Sequence, residues 1–309
     1  MMQRRPAPTV ELAEPRQLAD VDVPLVSIDT RRGSYAALQI GDRSAPHVLL
    51  VPGFTGSKED FAPILRPIAD QGYFVTALDQ RGQYQTPGAR LSADGVPSEE
   101  ETDYSTSALG EDLLAVVEAL GSPIHLIGHS FGGLVSRAAV IARPGAFASF
   151  VLMDSGPSGV DESQRERLDL LRPVLLEYGI EAVYQGMEML AAGEEGYSPP
   201  PPELAEFLHT RFVESSPTML LGMGDALLSE PDRVDELKAT GLPIAVLHGR
   251  DEDVWLPPVQ QEMAQRLGVE RIVIVDAAHS PAADNPQPTI DALVGFWRRG
   301  ASPAAEGAS

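Results

Sequence analysis

Continuous apolar runs recur along the chain, separated by longer stretches in which apolar residues return every three or four positions. Val48 to Val51, Phe74 to Leu78, Ile124 to Ile127, Phe150 to Met153, Ile244 to Leu247 and Ile272 to Val275 are short runs without polar alternation. Such runs suit strands covered on both faces. Between them, Lys58 to Gln71 opens on a Ser57-x-x-Asp60 capping box, and Ser107 to Leu120 and Gly133 to Arg143 also carry helical spacing. The two segments Leu25 to Asp29 and Tyr35 to Ile40 flank a turn at Arg31-Arg32-Gly33 and predict an opening hairpin. Strand and helix in alternation predict an α/β architecture with a doubly wound, mostly parallel sheet.

The alternation stops over residues 156–240, where nothing reads as a buried strand and Leu168, Leu171, Leu175 and Leu176 keep a helical spacing. This segment is expected to be a helical lid inserted into a core made of residues 21–155 and 241–299. Pro199 to Pro202 divides it into at least two helical parts. Met187, Met189, Met219 and Met223, with Tyr178, Tyr184, Phe207 and Phe212, fall within it, as lining for an apolar pocket or as ordinary helix packing. Residues 1–20 and 300–309, rich in Pro, Ala, Ser and Glu, are expected to be disordered ends.

Candidate chemistry begins at Gly128-His129-Ser130-Phe131-Gly132, directly behind the run Ile124 to Ile127 and ahead of a helical stretch. In that context G-x-S-x-G describes a sharp strand-to-helix turn that pushes the hydroxyl of Ser130 outward as a nucleophile. A nucleophilic serine needs a base, and the base needs an acidic partner to hold its tautomer. Downstream of the acidic cluster Asp251-Glu252-Asp253 the one histidine is His279, placed after a strand-like run where such sheets gather their chemistry. His125 and His248 read as packing residues, and His129 as a neighbour of Ser130.

With Val51-Pro52-Gly53-Phe54-Thr55-Gly56, Asp79-Gln80-Arg81-Gly82, Gly249-Arg250-Asp251-Glu252 and Ala278-His279-Ser280-Pro281, these residues make the chain resemble the α/β-hydrolase superfamily over roughly residues 25 to 299. The resemblance implies an eight-stranded sheet with helices on both faces and a lid between the sixth and seventh strands. It also implies an oxyanion hole from the backbone N–H groups of Phe131 and Phe54, although Pro52 stands where family members more often carry histidine. The acid it implies falls on Glu252. A one-residue shift of the loop would hand the role to Asp251 or Asp253, and Asp154, at the end of the sixth strand, is a further position used in the superfamily. Asp79 and Arg81 are expected to pair and hold a tight turn, and Gln83 to Tyr104 to run over the surface.

Composition narrows the function. With no cysteine among 309 residues, thiolate chemistry and disulfides are excluded. The formal charge of −22 disfavours nucleic acid and anionic membrane as partners. Residues 1–19 hold Arg4, Arg5 and prolines without an apolar core, and no stretch of eighteen apolar residues occurs, so a cytoplasmic location is expected. No metal or cofactor motif is present, the partner expected is a small-molecule substrate, and the oligomeric state is left open. The function expected is a serine hydrolase cleaving a small to medium, largely apolar carboxylic ester through an acyl-enzyme. A carbon–carbon bond hydrolase, a lactonase or a peptidase on the same triad, the last needing acidic residues such as Glu181, Glu188, Glu194 or Glu195 for the substrate amine, are alternatives. So is a non-catalytic ligand receptor of the same fold.

Overall fold

A computed structural model describes residues 22–88, 103–121, 123–193 and 197–301; of the expected disordered ends, residues 1–20 and 302–309 lie outside the described residues, as does most of the Gln83 to Tyr104 excursion, while Gly300 and Ala301 belong to the last helix. Eight strands form one sheet in the order β1-β2-β4-β3-β5-β6-β7-β8. They are β1 (Leu25–Thr30), β2 (Gly33–Ile40), β3 (His47–Val51), β4 (Phe74–Leu78), β5 (Ile124–His129), β6 (Phe147–Met153), β7 (Ile244–Gly249) and β8 (Glu270–Ile274). β1 and β2 are antiparallel, and every pairing from β4 to β8 is parallel. The sheet is thus the mostly parallel, doubly wound one expected.

Each strand owes its character to its position. All residues of β3, β4 and β7 are buried, because helices cover both faces there and leave no side for a polar residue. The exception is β8. It is an edge strand, with Val273 38% and Val275, just beyond its end, 48% exposed, so its apolar run does not reflect burial on both faces.

Helices α1 (Ala62–Asp70), α2 (Thr106–Leu120) and α3 (Phe131–Ala142) belong to the core; α1 follows a 3-10 turn at Lys58–Phe61. α1 buries Ile64, Leu65 and Ile68 on one face of the sheet, each burial stabilising by about 1.5–3 kcal/mol. On the other face, α2 begins at Ser105, whose side chain accepts from the Ala108 N–H at 3.2 Å. Its Gly110 lets α3 approach closely: a Cβ there would lie 3.1 Å from the Ala139 nitrogen.

Between β6 and β7 the chain forms α4 (Glu162–Tyr178), α5 (Ile180–Ala191), α6 (Pro202–Val213), α7 (Pro217–Ser229) and α8 (Val234–Ala239). Asp161 caps α4 by accepting from Ser163 and Gln164, and Gly179, at φ 84°, turns the chain into α5. This insertion is tied to the core by buried charge. Arg137 of α3 pairs with Glu230 at 2.7 Å, and Thr106 of α2 donates to the same carboxylate at 2.6 Å. The remaining helices are α9 (Pro257–Leu267), α10 (Pro281–Asp284) and α11 (Pro286–Ala301). No helix among the described residues is long and apolar enough to cross a membrane.

The turn behind β4 differs from expectation. Asp79 and Arg81 do not pair with each other. Asp79 bonds Lys58 at 2.9 Å and accepts the Lys58 N–H at 2.8 Å, while Arg81 bonds Asp112 of α2 at 2.7 Å. Both arginine and aspartate are buried, and each takes the partner that the neighbouring element brings within reach. Gln83 and Tyr104 are also buried and not surface residues.

Candidate active site

Ser130 stands between β5 and α3 with φ 53° and ψ −125°, a conformation L residues rarely adopt. Its N–H donates to the Met153 carbonyl at 2.9 Å, tying the turn to β6. The surrounding glycines make room for it. A Cβ on Gly128 would come within 2.6 Å of the Gly132 carbonyl oxygen, and one on Gly132 would overlap the carbonyls of Val51 and Pro52 at the end of β3. The local sequence therefore forces the hydroxyl out of the turn, and the hydroxyl donates to His279 Nε2 at 2.9 Å.

His279 follows β8 on a loop held from several sides. Its carbonyl accepts from His129 Nε2 at 2.6 Å, the Ala278 N–H donates to Asp284 at 2.9 Å, and the Asp251 N–H donates to the Ala277 carbonyl at 3.0 Å. The Trp255 ring stacks 6.4 Å from the imidazole. Burial lowers the His129 pKa to about 4, and the nearby His279 adds to this, so His129 is neutral and its one N–H points at the carbonyl. His125 and His248 bond Ser149 and the Gly249 carbonyl.

The four candidate acids part company here. Glu252, 3% exposed, meets His279 Nδ1 with Oε2 at 2.8 Å and Oε1 at 3.0 Å. Oε1 also accepts the N–H groups of Val254 and Trp255, each at 2.9 Å. Burial alone would raise its pKa, but the bond and charge of His279, the neighbouring Asp154 and the Trp255 N–H outweigh that and hold the carboxyl well below the ordinary range. Asp251 and Asp253 are exposed. Asp154 is buried behind Glu252 and accepts the Gly249 N–H at 2.9 Å. Asp154, Glu252 and His279 bring possible metal-ligand atoms within 4.8 Å of one another. Both imidazole nitrogens already serve Ser130 and Glu252, so the group closes as a hydrogen-bond chain.

Phe131 is the first residue of α3, and its N–H is among those a helix start leaves without an intrahelical acceptor. Gly53 abuts Ser130 from the β3 loop: a Cβ there would lie 3.0 Å from Ser130 Cβ and 3.4 Å from Oγ. The sequence reading missed what holds this loop. Gln80 donates to the Pro52 carbonyl at 2.8 Å, and Gln83 to the carbonyls of Gly53 at 2.6 Å and Phe54 at 3.1 Å. These bonds fix three successive carbonyls of the loop that passes Ser130. Two glutamines flanking Gly82, just past a buried strand, were the available signal.

Among the helices of the insertion lies a cavity of about 330 Å³, closed on one side by Phe54 and Thr55 of the same loop and walled by Leu171, Leu175, Val183, Met187, Phe212 and Leu220, with Gln164, Arg167, Asp169 and Arg172 also lining it. Of the other candidate lining residues, Met219 and Met223 are fully buried in the core, Tyr184 packs on Phe212, and Phe207 packs on Tyr84. Met189 and Tyr178, at 76% and 67% exposure, face outward and do not line it. Glu181 and Glu188 are exposed and bond His209 and Tyr197; Glu194 and Glu195 lie outside the described residues.

Comparison with known proteins agrees with this architecture. Residues 46–180 match the family model of the alpha/beta hydrolase fold. Over 116 residues the chain is 30% identical to RutD of Variovorax paradoxus, a protein named for carbamate hydrolysis; the match spans 37% of this chain and 40% of that one. It is 23% identical over 271 residues to the sn-1-specific diacylglycerol lipase ABHD11 of Mus musculus, covering 85% and 84% of the two chains. A carboxylesterase structure from the thaumarchaeon Nitrososphaera gargenis superposes with a TM-score of 0.74 at 21% identity, over 90% of this chain and 98% of that one. An esterase from Thermogutta terrifontis gives 0.70 at 21%, over 90% and 100%. Sheet order, strand-to-helix serine turn and the match over residues 46–180 together show that this chain has the α/β-hydrolase fold.

Proposed function

We propose that the chain is a serine hydrolase acting on carboxylic esters of small to medium size with a largely apolar acyl or alcohol part. The observation that carries this reading is the unbroken chain from Ser130 Oγ through His279 to Glu252, with bonds of 2.9 and 2.8 Å, at the carboxyl ends of β5, β7 and β8. His279 takes the hydroxyl proton as Ser130 attacks the carbonyl carbon, and Glu252 stabilises the imidazolium that forms. The tetrahedral oxyanion falls between the N–H groups of Phe131 and Phe54, where each donor is worth about 10²–10³ in rate. His279 then protonates the leaving alcohol. Water, deprotonated by His279, attacks the acyl group on Ser130 and releases the acid.

The cavity supports the substrate side of the reading. Its volume is at the lower end of ligand pockets, its walls are mostly aliphatic, and Phe54 belongs both to the cavity wall and to the loop facing Ser130. The helices from α4 to α7, which form most of its wall, act in this proposal as a lid on the core. The esterase and lipase activities named for the relatives are of the same reaction class. The test is to mix the protein with a fluorophosphonate probe and a series of nitrophenyl esters of increasing acyl length. Labelling at Ser130 that Ser130→Ala abolishes, with ester turnover falling once the acyl chain outgrows the cavity, is expected. A folded protein that is neither labelled nor active on esters would point instead to a ligand receptor.

A further inference from the structure

Asp154 is a buried acid for which the proposed reaction has no task. It ends β6 with φ 44°, is 0% exposed, and gives its N–H to the Leu247 carbonyl at 2.9 Å. Oδ1 accepts the Gly249 N–H at 2.9 Å, while Oδ2 faces no donor. Glu252 stands beside Asp154, with carboxylate oxygens of the two groups within 4.8 Å of one another. Two carboxylate anions buried that close repel, and neither can donate to the other, since each can only accept. One of the two therefore carries a proton. Glu252 has two backbone N–H groups on Oε1 and the imidazole on both oxygens, whereas Asp154 has one backbone N–H in all. The group richer in donors keeps the charge.

We propose that Asp154 is a neutral carboxylic acid whose hydroxyl donates to Glu252, making it the positioning residue that sets the rotation of the Glu252 carboxylate against His279. The inference rests on the reading of Ser130, His279 and Glu252 as a catalytic chain. The environment agrees with it in direction. Complete burial, the charge of Glu252 and that of Asp284 from α10 all push the ionisation of Asp154 well above the carboxylate range, while Glu252 is held below it. One site thus drives two carboxyl groups apart. The other titratable groups around the pair are His279 itself, His129 behind it and His248 in β7. With Asp154 neutral the pair of carboxyl groups holds a single negative charge, matched to the single positive charge that forms on His279 during acyl transfer.

The experiment compares Asp154→Asn with Asp154→Ala. Asparagine keeps both bonds without charge, its amide oxygen accepting from Gly249 and its amide N–H donating to Glu252. Asp154→Asn is expected to stay within about 3-fold of the parent in kcat, and Asp154→Ala to lose about 10- to 100-fold in kcat with little change in KM, the size expected for a hydrogen bond to a charged group. The infrared difference spectrum between the parent protein and Asp154→Asn at neutral pH should contain the carbonyl band of an un-ionised carboxylic acid. Absence of that band, or an Asn variant as slow as the Ala variant, overturns the proposal. The band does not depend on activity or on the Ala variant folding. If Ser130 resists the fluorophosphonate, the catalytic reading fails while the spectrum still decides the state of Asp154.

Discussion

Replacing Glu252 by Gln tests the proposed acid with almost no change of shape. Oε1 is held by the N–H groups of Val254 and Trp255, each at 2.9 Å, so the amide oxygen of the variant must take that position. Its NH₂ then occupies the Oε2 position, 2.8 Å from His279 Nδ1, and donates where the carboxylate accepted. Nδ1 becomes an acceptor, which leaves the imidazole proton on Nε2, 2.9 Å from Ser130 Oγ. In that tautomer His279 presents a donor to the hydroxyl whose proton it must remove. The equivalent carboxylate-to-amide change in a serine protease costs about 10⁴ in kcat, or roughly 5.4 kcal/mol of transition-state stabilisation. The same loss is expected here in kcat/KM for a short-chain nitrophenyl ester, with a parallel fall in fluorophosphonate labelling rate and an unchanged circular dichroism spectrum. A variant within tenfold of the parent would refute the assignment, and a large effect of Asp251→Asn in its place would move the acid to the neighbouring residue.

Three further outcomes follow from the geometry. Gly132→Ala places a methyl group against the carbonyls of Val51 and Pro52, so it should destabilise by about 1–3 kcal/mol in urea titration and depress labelling of Ser130, because the loop after β3 must move. Gln83→Ala leaves the Gly53 and Phe54 carbonyls without their shared donor; a loss of about 1–3 kcal/mol in stability, with kcat falling more than KM rises, is expected, and unchanged kcat would show that the loop holds its shape unaided. His47 and His129 are buried neutral with pKa values lowered from 6.5 to about 4, so the unfolded chain binds more protons than the folded one between those values. Stability should therefore fall as pH drops from about 6.5 to 4, by something of the order of 3 kcal/mol per histidine, and His47→Phe should flatten the profile measured by denaturant titration at each pH.

How much could be read from the chain varied with the range of the interaction. The central strands were legible because burial on both faces removes polar residues from them, and β3 to β7 follow the apolar runs closely. The same signal misled at β8, since an apolar run does not say whether a second helix layer or solvent covers it. Charged pairs were the least legible. Asp79 and Arg81, two residues apart, looked like partners, yet Lys58 and Asp112, 21 and 31 residues from them, take those roles. Of the eight candidate lining residues only Met187 and Phe212 line the cavity, and Met189 and Tyr178 failed for a related reason: spacing alone does not tell the inner face of an inserted helix from the outer one.

What the sequence determined by itself is local: a glycine-flanked serine between a buried strand and a helix, a single histidine behind the acidic cluster, and an alternation of elements that admits one kind of sheet. These follow from steric limits and hydrophobic periodicity, which act over a few residues. Which carboxylate meets His279 was decided only in three dimensions. Asp251, Glu252 and Asp253 are chemically near-equivalent and adjacent, and a loop turned by one residue would present another of them. The backbone N–H groups of Val254 and Trp255, and the burial of Asp154 behind the loop, direct Glu252 inward and leave its neighbours in solvent. That choice depends on where β6, β7 and β8 end relative to one another, a property of the packed sheet that no segment of the chain carries alone.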